Sequence, residues 1–190
     1  MPEKVGVLAI QGSYAKHAES LVRAGCAAGD VSEIRTPQEL DRVGRLIIPG
    51  GESTTVGLLM RHTGIDVAVC QRAQAGMPIW GTCMGLIMLA AQIEGSAQFS
   101  LGLLDVSVRR NAFGSQVHSF EASIPFKGLD DPVEGVFIRA PIVTRCGPGV
   151  EVMSEFEGQV VAVRHGRLLG TSFHPELTED TRLHRYFLDI

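Results

Sequence analysis

The sequence predicts an α/β fold: a three-layer sandwich with helices on both faces of a mostly parallel central sheet, and antiparallel additions in the second half of the chain. Three observations predict it. Short apolar runs at Val5 to Ile10, Leu46 to Ile48 and Pro78 to Trp80 each end in a Gly-containing turn, the pattern of strands buried on both faces. Helical patterns separate those runs, so strand and helix alternate. From Val106 onward, alternating or β-rich segments take over, as antiparallel strands do.

The first run ends at Gln11-Gly12 and leads into a helical pattern from Ala15 to Ala24, closed by Gly25. Leu46 to Ile48, read as the second strand, ends at Pro49-Gly50-Gly51. Helical patterns follow from Thr55 to His62, closed by Gly64, and from Asp66 to Ala75, closed by Gly76. Glycine just past the last periodic residue is the usual stop signal of a helix. Pro78 to Trp80 then runs through Gly81-Thr82-Cys83 into an apolar helix. This order implies right-handed crossovers and a functional crevice at the carboxyl ends of the strands, where the Gly-rich turns lie. In the second half, Val106 to Arg109, Gln116 to Ile124, Val136 to Arg139 and Gln159 to Val163 read as strands, and His165-Gly166 as a hairpin turn into Arg167 to Phe173. Leu183, Tyr186, Phe187 and Ile190 give the segment from Glu179 to Ile190 helical spacing.

A chain of 190 residues with 45% hydrophobic composition can bury roughly 70% of its unfolded surface in one core. With no repeat, low-complexity tract or linker, a single domain over residues 1–190 is expected. A formal charge of -4 without any block of like charges gives no electrostatic footprint for nucleic acid or an anionic membrane. No apolar stretch reaches the roughly 18 residues a membrane span needs, and a cytoplasmic location is expected. Cys26, Cys70, Cys83 and Cys146 are widely spaced without a CxxC pair, so reduced thiols are the default.

Cys83 stands between a buried strand and an apolar helix, with Gly81 and Gly85 around it. That is the setting of a nucleophile elbow. A thiol at a helix N-terminus meets the positive end of the macrodipole, and the following N–H of Met84 points where an oxyanion would form. The alternative is a core cysteine that fills space. Near the C-terminus, Gly170-Thr-Ser-Phe-His174-Pro175-Glu176 ends a strand with a histidine and an acid two residues later. A thiol attacking an amide needs a general base that returns its proton to the leaving ammonia, and a carboxylate that fixes the imidazole tautomer. The same residues also fit a solvated turn ended by Pro175. The other five histidines have no comparable company in the sequence. Gly50-Gly51-Glu52-Ser53 follows a strand and opens a helix, so its backbone N–H groups can approach a ligand or an oxyanion closely. A phosphate cradle would need the lysine of a P-loop, which is missing. An ordinary turn with Ser53 as N-cap is the remaining alternative.

Gly6-Val-Leu-Ala-Ile-Gln-Gly12, Pro49-Gly-Gly-Glu-Ser-Thr-Thr55, Gly81-Thr-Cys83, Arg109-Arg-Asn-Ala-Phe-Gly-Ser-Gln116, Ser119-Phe-Glu121, Val136-Phe-Ile-Arg-Ala-Pro141 and Phe173-His-Pro-Glu-Leu-Thr178 span nearly the whole chain. In these motifs the sequence resembles the class I (triad) glutamine amidotransferases, which are flavodoxin-like. Within them it resembles the glutaminase subunits of two-component pyridoxal 5'-phosphate synthases. The resemblance implies hydrolysis of L-glutamine with Cys83 as nucleophile, His174 as base and Glu176 as its orienting acid. It implies that Gly51, Glu52, Ser53, Arg110, Ile138 and Arg139 bind glutamine, with backbone at Gly51 and Met84 as the oxyanion hole. It further implies that no metal or organic cofactor is needed, and that the partner is an ammonia-accepting synthase subunit in a hetero-oligomer. Met84 departs from the small alanine common after the cysteine, and His118 from an acid common in relatives. Rival readings are a glutaminase serving another synthase, a cysteine peptidase or chaperone-like α/β protein with a similar elbow, and a silent binding module.

Overall fold

A computed structural model describes residues 4–113 and 119–190. Its first half alternates as the sequence predicts: strands β1 (Val5–Leu8), β2 (Val31–Ile34), β3 (Arg45–Ile48) and β4 (Ile79–Thr82) are interleaved with helices α1 (Tyr14–Arg23), α2 (Pro37–Leu40), α3 (Ser53–Thr63) and α4 (Ile65–Gln74). Helix α5 (Met84–Leu89) begins directly after Cys83. The later strands are β5 (Ala90–Ile93), β6 (Leu104–Arg109), β7 (Ser119–Ile124), β8 (Val133–Ile138), β9 (Ile142–Cys146), β10 (Glu151–Phe156), β11 (Gln159–His165) and β12 (Leu168–Thr171), and helix α6 (Arg182–Leu188) closes the chain.

The large sheet runs β2-β1-β3-β4-β12-β11-β9-β6-β5, with β10 paired to β11. Its first five strands are mutually parallel. Successive residues of these strands enter two different cores. Leu8, Leu46, Ile48 and Ile79 join Val56, Met60, Val69 and Leu86 from α3, α4 and α5. Val5, Val7, Ile47 and Trp80 join Leu21 of α1 and Leu183 and Phe187 of α6. Burial of every residue of β1 and β4 is therefore a consequence of helices on both faces.

Several expectations need correction. The strand ending at Ile48 is the third, because β2 precedes it; β2 is an edge strand whose only fully buried residue is Ile34, so it carries little hydrophobic signal. The apolar helix after Cys83 stops at Leu89, where Ala90 turns extended and β5 pairs in parallel with β6. Periodicity cannot separate helix from strand within such a fully apolar run. The pair β7–β8 is a two-stranded sheet of its own and not an addition to the central one. The expected strand start at Gln116, and His118, lie outside the described residues.

The turn glycines act in different ways. Gly64 at the end of α3 is left-handed with φ 73°, as expected of a stop signal. Gly85 is fixed by space: a Cβ there would sit 2.0 Å from the Ile48 carbonyl oxygen, while one on Gly81 would sit 2.3 Å from the Gly85 carbonyl oxygen. Helix α5 packs directly on the strand backbones, which sets where Cys83 emerges. Gly85→Ala should therefore lower stability by about 3 kcal/mol, the upper end of overpacking costs. Gly29→Ala, with nothing within 4 Å of the new Cβ, should change it by less than about 0.5 kcal/mol. Denaturant midpoints of the two variants test this; equal values would contradict the close approach.

Candidate active site

Four segments meet at the carboxyl ends of β1, β3, β4 and β12: Gln11 to Ser13, Gly50 to Ser53, Cys83 and Ser172 to Glu176. Strands β4 and β12 are adjacent and in parallel register, with Gly81 opposite Gly170 and Thr82 opposite Thr171. Both chains thus leave the sheet at the same edge. The Cys83 amide donates to the Thr171 carbonyl at 2.7 Å, and Trp80 Nε1 donates to Thr171 Oγ1 at 3.1 Å. Two distant parts of the sequence are locked together at Cys83 itself and three residues before His174.

Cys83 is the N-cap of α5, with φ 50° and ψ -103°. A non-glycine residue held there is strained by about 1–3 kcal/mol, and such strain clusters at functional sites. Its Sγ lies 3.9 Å from the Ile138 carbonyl oxygen, and the His174 imidazole is its other polar neighbour. His174 fits because Gly50 has no side chain: a Cβ there would be 2.4 Å from the imidazole Cε1. The second face of the ring is set by Glu176, whose Oε1 is 2.8 Å from Nδ1. Both residues are buried, His174 at 8% and Glu176 at 2% exposure.

Burial disfavours the imidazolium, but the Cys83 sulfur and the Glu176 carboxylate override it, pushing the His174 pKa up to about 10. Burial also works against the Glu176 carboxylate; the His17 and His174 imidazoles and the Ser13 hydroxyl overcome it and hold the group at about 2. The arrangement can store a proton on His174 beside the sulfur, with a fixed negative charge behind the ring.

A cleft of about 530 Å³ contains Cys83 and His174 together with Gly51, Glu52, Ser53, Met84, Arg110, Ile138 and Arg139. Of the residues named from the sequence, only Glu176 stands outside it, behind the imidazole. A larger groove of about 870 Å³, between α1 and residues 176–179, holds neither Cys83 nor His174 and so has no claim on the same chemistry. Arg110 reaches across to Gln98 Oε1 at 2.8 Å. Met84 is buried, and its Cε packs toward Gly51, so the bulkier residue fills space beside Cys83. Ser53 is not the cap of α3. Glu52 is: its carboxylate accepts from the Thr54 and Thr55 amides at 3.0 and 2.8 Å and from the Thr55 hydroxyl at 2.7 Å. Those bonds, the Thr55 hydroxyl first, hold it ionised with a pKa of about 2.

Several features of the site go beyond the roles given from the sequence, although Gln11, Asn111 and Arg139 all lie within its family-like motifs. Gln11 Oε1 accepts the Glu52 amide at 3.0 Å and so shapes the Gly51 turn. Asn111 and Arg139 have φ 51° and 45° and line the cleft with Cys83, so three of the four non-glycine residues with positive φ among the described residues converge there. The expectation that the other histidines lack company is overturned: His17 and His184 are fully buried, and His17 Nε2 lies 3.3 Å from Glu176 Oε2. Contacts from α1 and α6 are long-range, and no local spacing announces them.

Stability should peak near neutral pH. Burial, with His17 beside it, pushes His184 down to about 3, and burial likewise lowers His17. Unfolded imidazoles take up protons below about 6.5, so stability falls as pH drops from there toward about 3. Glu176 adds a further loss below the unfolded carboxylate value of about 4.3. On the alkaline side the sign reverses. The His174 contribution is complete below about 6.5 and is lost as pH rises, being gone by about 10. Denaturant midpoints across pH should show both limbs, and His174→Gln should flatten chiefly the alkaline limb; an unchanged alkaline slope in that variant would refute the assignment.

Comparison with known proteins gives consistent relatives. The model of the SNO glutamine amidotransferase family matches residues 7–190. The chain is 54% identical over 188 residues to a pyridoxal 5'-phosphate synthase subunit PdxT from Desulforudis audaxviator, covering 98% of each chain. It is 49% identical over 187 residues to the subunit of the same name from Niallia circulans, covering 98% of this chain and 97% of that one. A crystal structure of a glutamine amidotransferase superposes with a TM-score of 0.92 at 49% identity, covering 97% of both chains.

Proposed function

Because the chain belongs to the SNO glutamine amidotransferase family, we propose that it is the glutaminase subunit of a pyridoxal 5'-phosphate synthase, folded as one glutaminase domain over residues 1–190. It hydrolyses L-glutamine to L-glutamate and ammonia, and passes the ammonia to the synthase subunit as part of vitamin B6 synthesis. The observation that carries the reading is a strained cysteine at a helix N-terminus sharing a cleft with an imidazole whose far nitrogen is tied to a buried carboxylate at 2.8 Å.

The chemistry follows from these positions. The Cys83 sulfur attacks the side-chain amide carbon, and its proton resides on His174. The oxygen that becomes negative is met by backbone N–H groups at Gly51 and Met84, both of which line the cleft with Cys83. His174 protonates the nitrogen as the carbon–nitrogen bond breaks, so ammonia leaves and a thioester remains. Water, deprotonated by the same imidazole, then attacks the thioester and releases glutamate. Glu176 holds the ring in place throughout. No metal or organic cofactor enters these steps.

Glutamine is a zwitterion at its α-carbon, and the cleft offers both complements. Arg110 and Arg139 present cations, and Glu52, which lines the same cleft, stays ionised. The Gln11 side-chain oxygen accepts the Glu52 amide and so braces the Gly51 turn. A docked synthase that orders this turn would couple hydrolysis to the presence of an ammonia acceptor. Among the described residues no helix is long and apolar enough to cross a membrane, and we place the complex in the cytoplasm.

Glutamate release from glutamine should be strong for the wild type with the synthase subunit, weak without it, and absent for Cys83→Ala in both cases. No stimulated, Cys83-dependent release would refute the reading. Arg110→Ala should raise the Michaelis constant for glutamine about tenfold with kcat little changed, the signature of lost uniform binding. An unchanged Michaelis constant would remove Arg110 from the substrate's carboxylate.

A further inference from the structure

We propose that His17 is a positioning residue for the Glu176 carboxylate, set as an Nε2–H donor by a second buried imidazole, His184. The inference rests on the glutaminase reading for its catalytic meaning, and on geometry alone for its structural part. His17 of α1 and His184 of α6 are both fully buried, in contact with the Trp80 ring. His17 Nδ1 lies 3.0 Å from His184 Nε2. Its Nε2 lies 3.0 Å from Thr82 Oγ1 and 3.3 Å from Glu176 Oε2.

Two tautomer assignments are possible, and one is far cheaper. If His17 carried its proton on Nδ1 and donated to His184, neutral His184 would carry its own on Nδ1. That atom is buried without a partner among the described residues, so an N–H would be orphaned. His17 Nε2 would also turn a lone pair toward a carboxylate oxygen. With the protons on both Nε2 atoms, His184 donates to His17 and His17 donates toward Thr82 and Glu176. Only a lone pair is then left bare, at His184 Nδ1. An unpaired donor costs more to bury than an under-used acceptor, so the second arrangement holds.

Glutamate 176 is then held from both sides. Oε1 accepts from His174 Nδ1 at 2.8 Å and from the Ser13 hydroxyl at 2.5 Å. Oε2 is buried without a hydrogen bond of normal geometry among the described residues; His17 Nε2 lies 3.3 Å from it, so the N–H bonded to Thr82 presents the positive end of its dipole to the carboxylate. The carboxylate cannot rotate without losing one or the other. Groups around the imidazole pair are Glu176, His174, Thr82, Trp80, Arg23 and Asp180. Burial, against the pull of the Glu176 carboxylate and with help from the charge on His174, lowers the His17 pKa, so it acts as a hydrogen-bond donor and not as a second proton store.

Nitrogen-15 spectra of histidine-labelled protein at neutral pH should show His17 and His184 as neutral Nε2–H tautomers. An Nδ1–H tautomer at His17 would overturn the inference. In the complex with the synthase subunit, His17→Leu should lower kcat for glutamate release about tenfold or more, as loss of a supporting partner commonly does. The Michaelis constant should stay unchanged, and the pH profile of Cys83 alkylation should be displaced. His17→Gln, which keeps an N–H donor, should recover most of the rate and the original profile. A folded His17→Leu with wild-type kcat and profile would also overturn it. Should His17→Leu fail to fold, the wild-type tautomers decide alone. Should the wild-type complex release no glutamate, the proposed function falls, while tautomers and alkylation profile still judge this inference.

Discussion

The site depends on one pairing, that of β4 with β12. Parallel register between Gly81-Thr82 and Gly170-Thr171 delivers Cys83 and the Ser172 to Glu176 segment to the same sheet edge, and the bond from the Cys83 amide to Thr171 fixes their relative height. Parallel strands need a crossover or an intervening segment between them, so the two halves of the site must be far apart in sequence. Here the intervening chain includes the β7–β8 hairpin, whose Val136 carbonyl accepts the His174 amide. The same segment that separates the two residues in sequence braces one of them in space.

Around that pairing, the protein holds several local arrangements that would be unfavourable in isolation. Cys83, Asn111 and Arg139 occupy positive φ along one cleft, and Glu176 is ionised with almost no solvent exposure. Each costs free energy, and each persists because close-packed neighbours leave no alternative. Gly81 and Gly85 let α5 lie against the strand backbones, and Gly50 leaves the hollow that the His174 ring fills. Here glycine matters through absent volume more than through conformational freedom.

Much of this was legible in the sequence, for definable reasons. The layer order and the strand–helix alternation follow from hydrophobic period, which is local. The glycine stops at Gly25, Gly64 and Gly76 likewise act within one helical turn, and the helices they close end within a residue or two of the expected places. The residues that gather in the cleft carried strong motifs. What failed was non-local. Strand β2 exposes most of its side chains at the sheet edge, β5 begins inside an apolar run that also suits a helix, and the detached hairpin β7–β8 is distinguished from a sheet addition only by its pairing. Ser53 loses the cap position to Glu52 because a carboxylate can accept two backbone amides at once.

The histidines show where such reasoning stops and why. His174 stands two residues from its acid and could be found by spacing, whereas His17 meets Glu176 only after α1 and α6 have packed on the same face as Trp80. Their burial has an electrostatic consequence. A carboxylate removed from water must be compensated, and under the proposed mechanism the His174 imidazole would cycle its proton during turnover and so cannot be constant compensation. In the proposed arrangement, the Ser13 hydroxyl and the His17 N–H are neutral groups beside the carboxylate that need not change state when His174 does. On that mechanism the charge on Glu176 would stay stabilised through each step in which the ring beside it gains or loses a proton, which gives a physical reason for a polar network inside an otherwise apolar core.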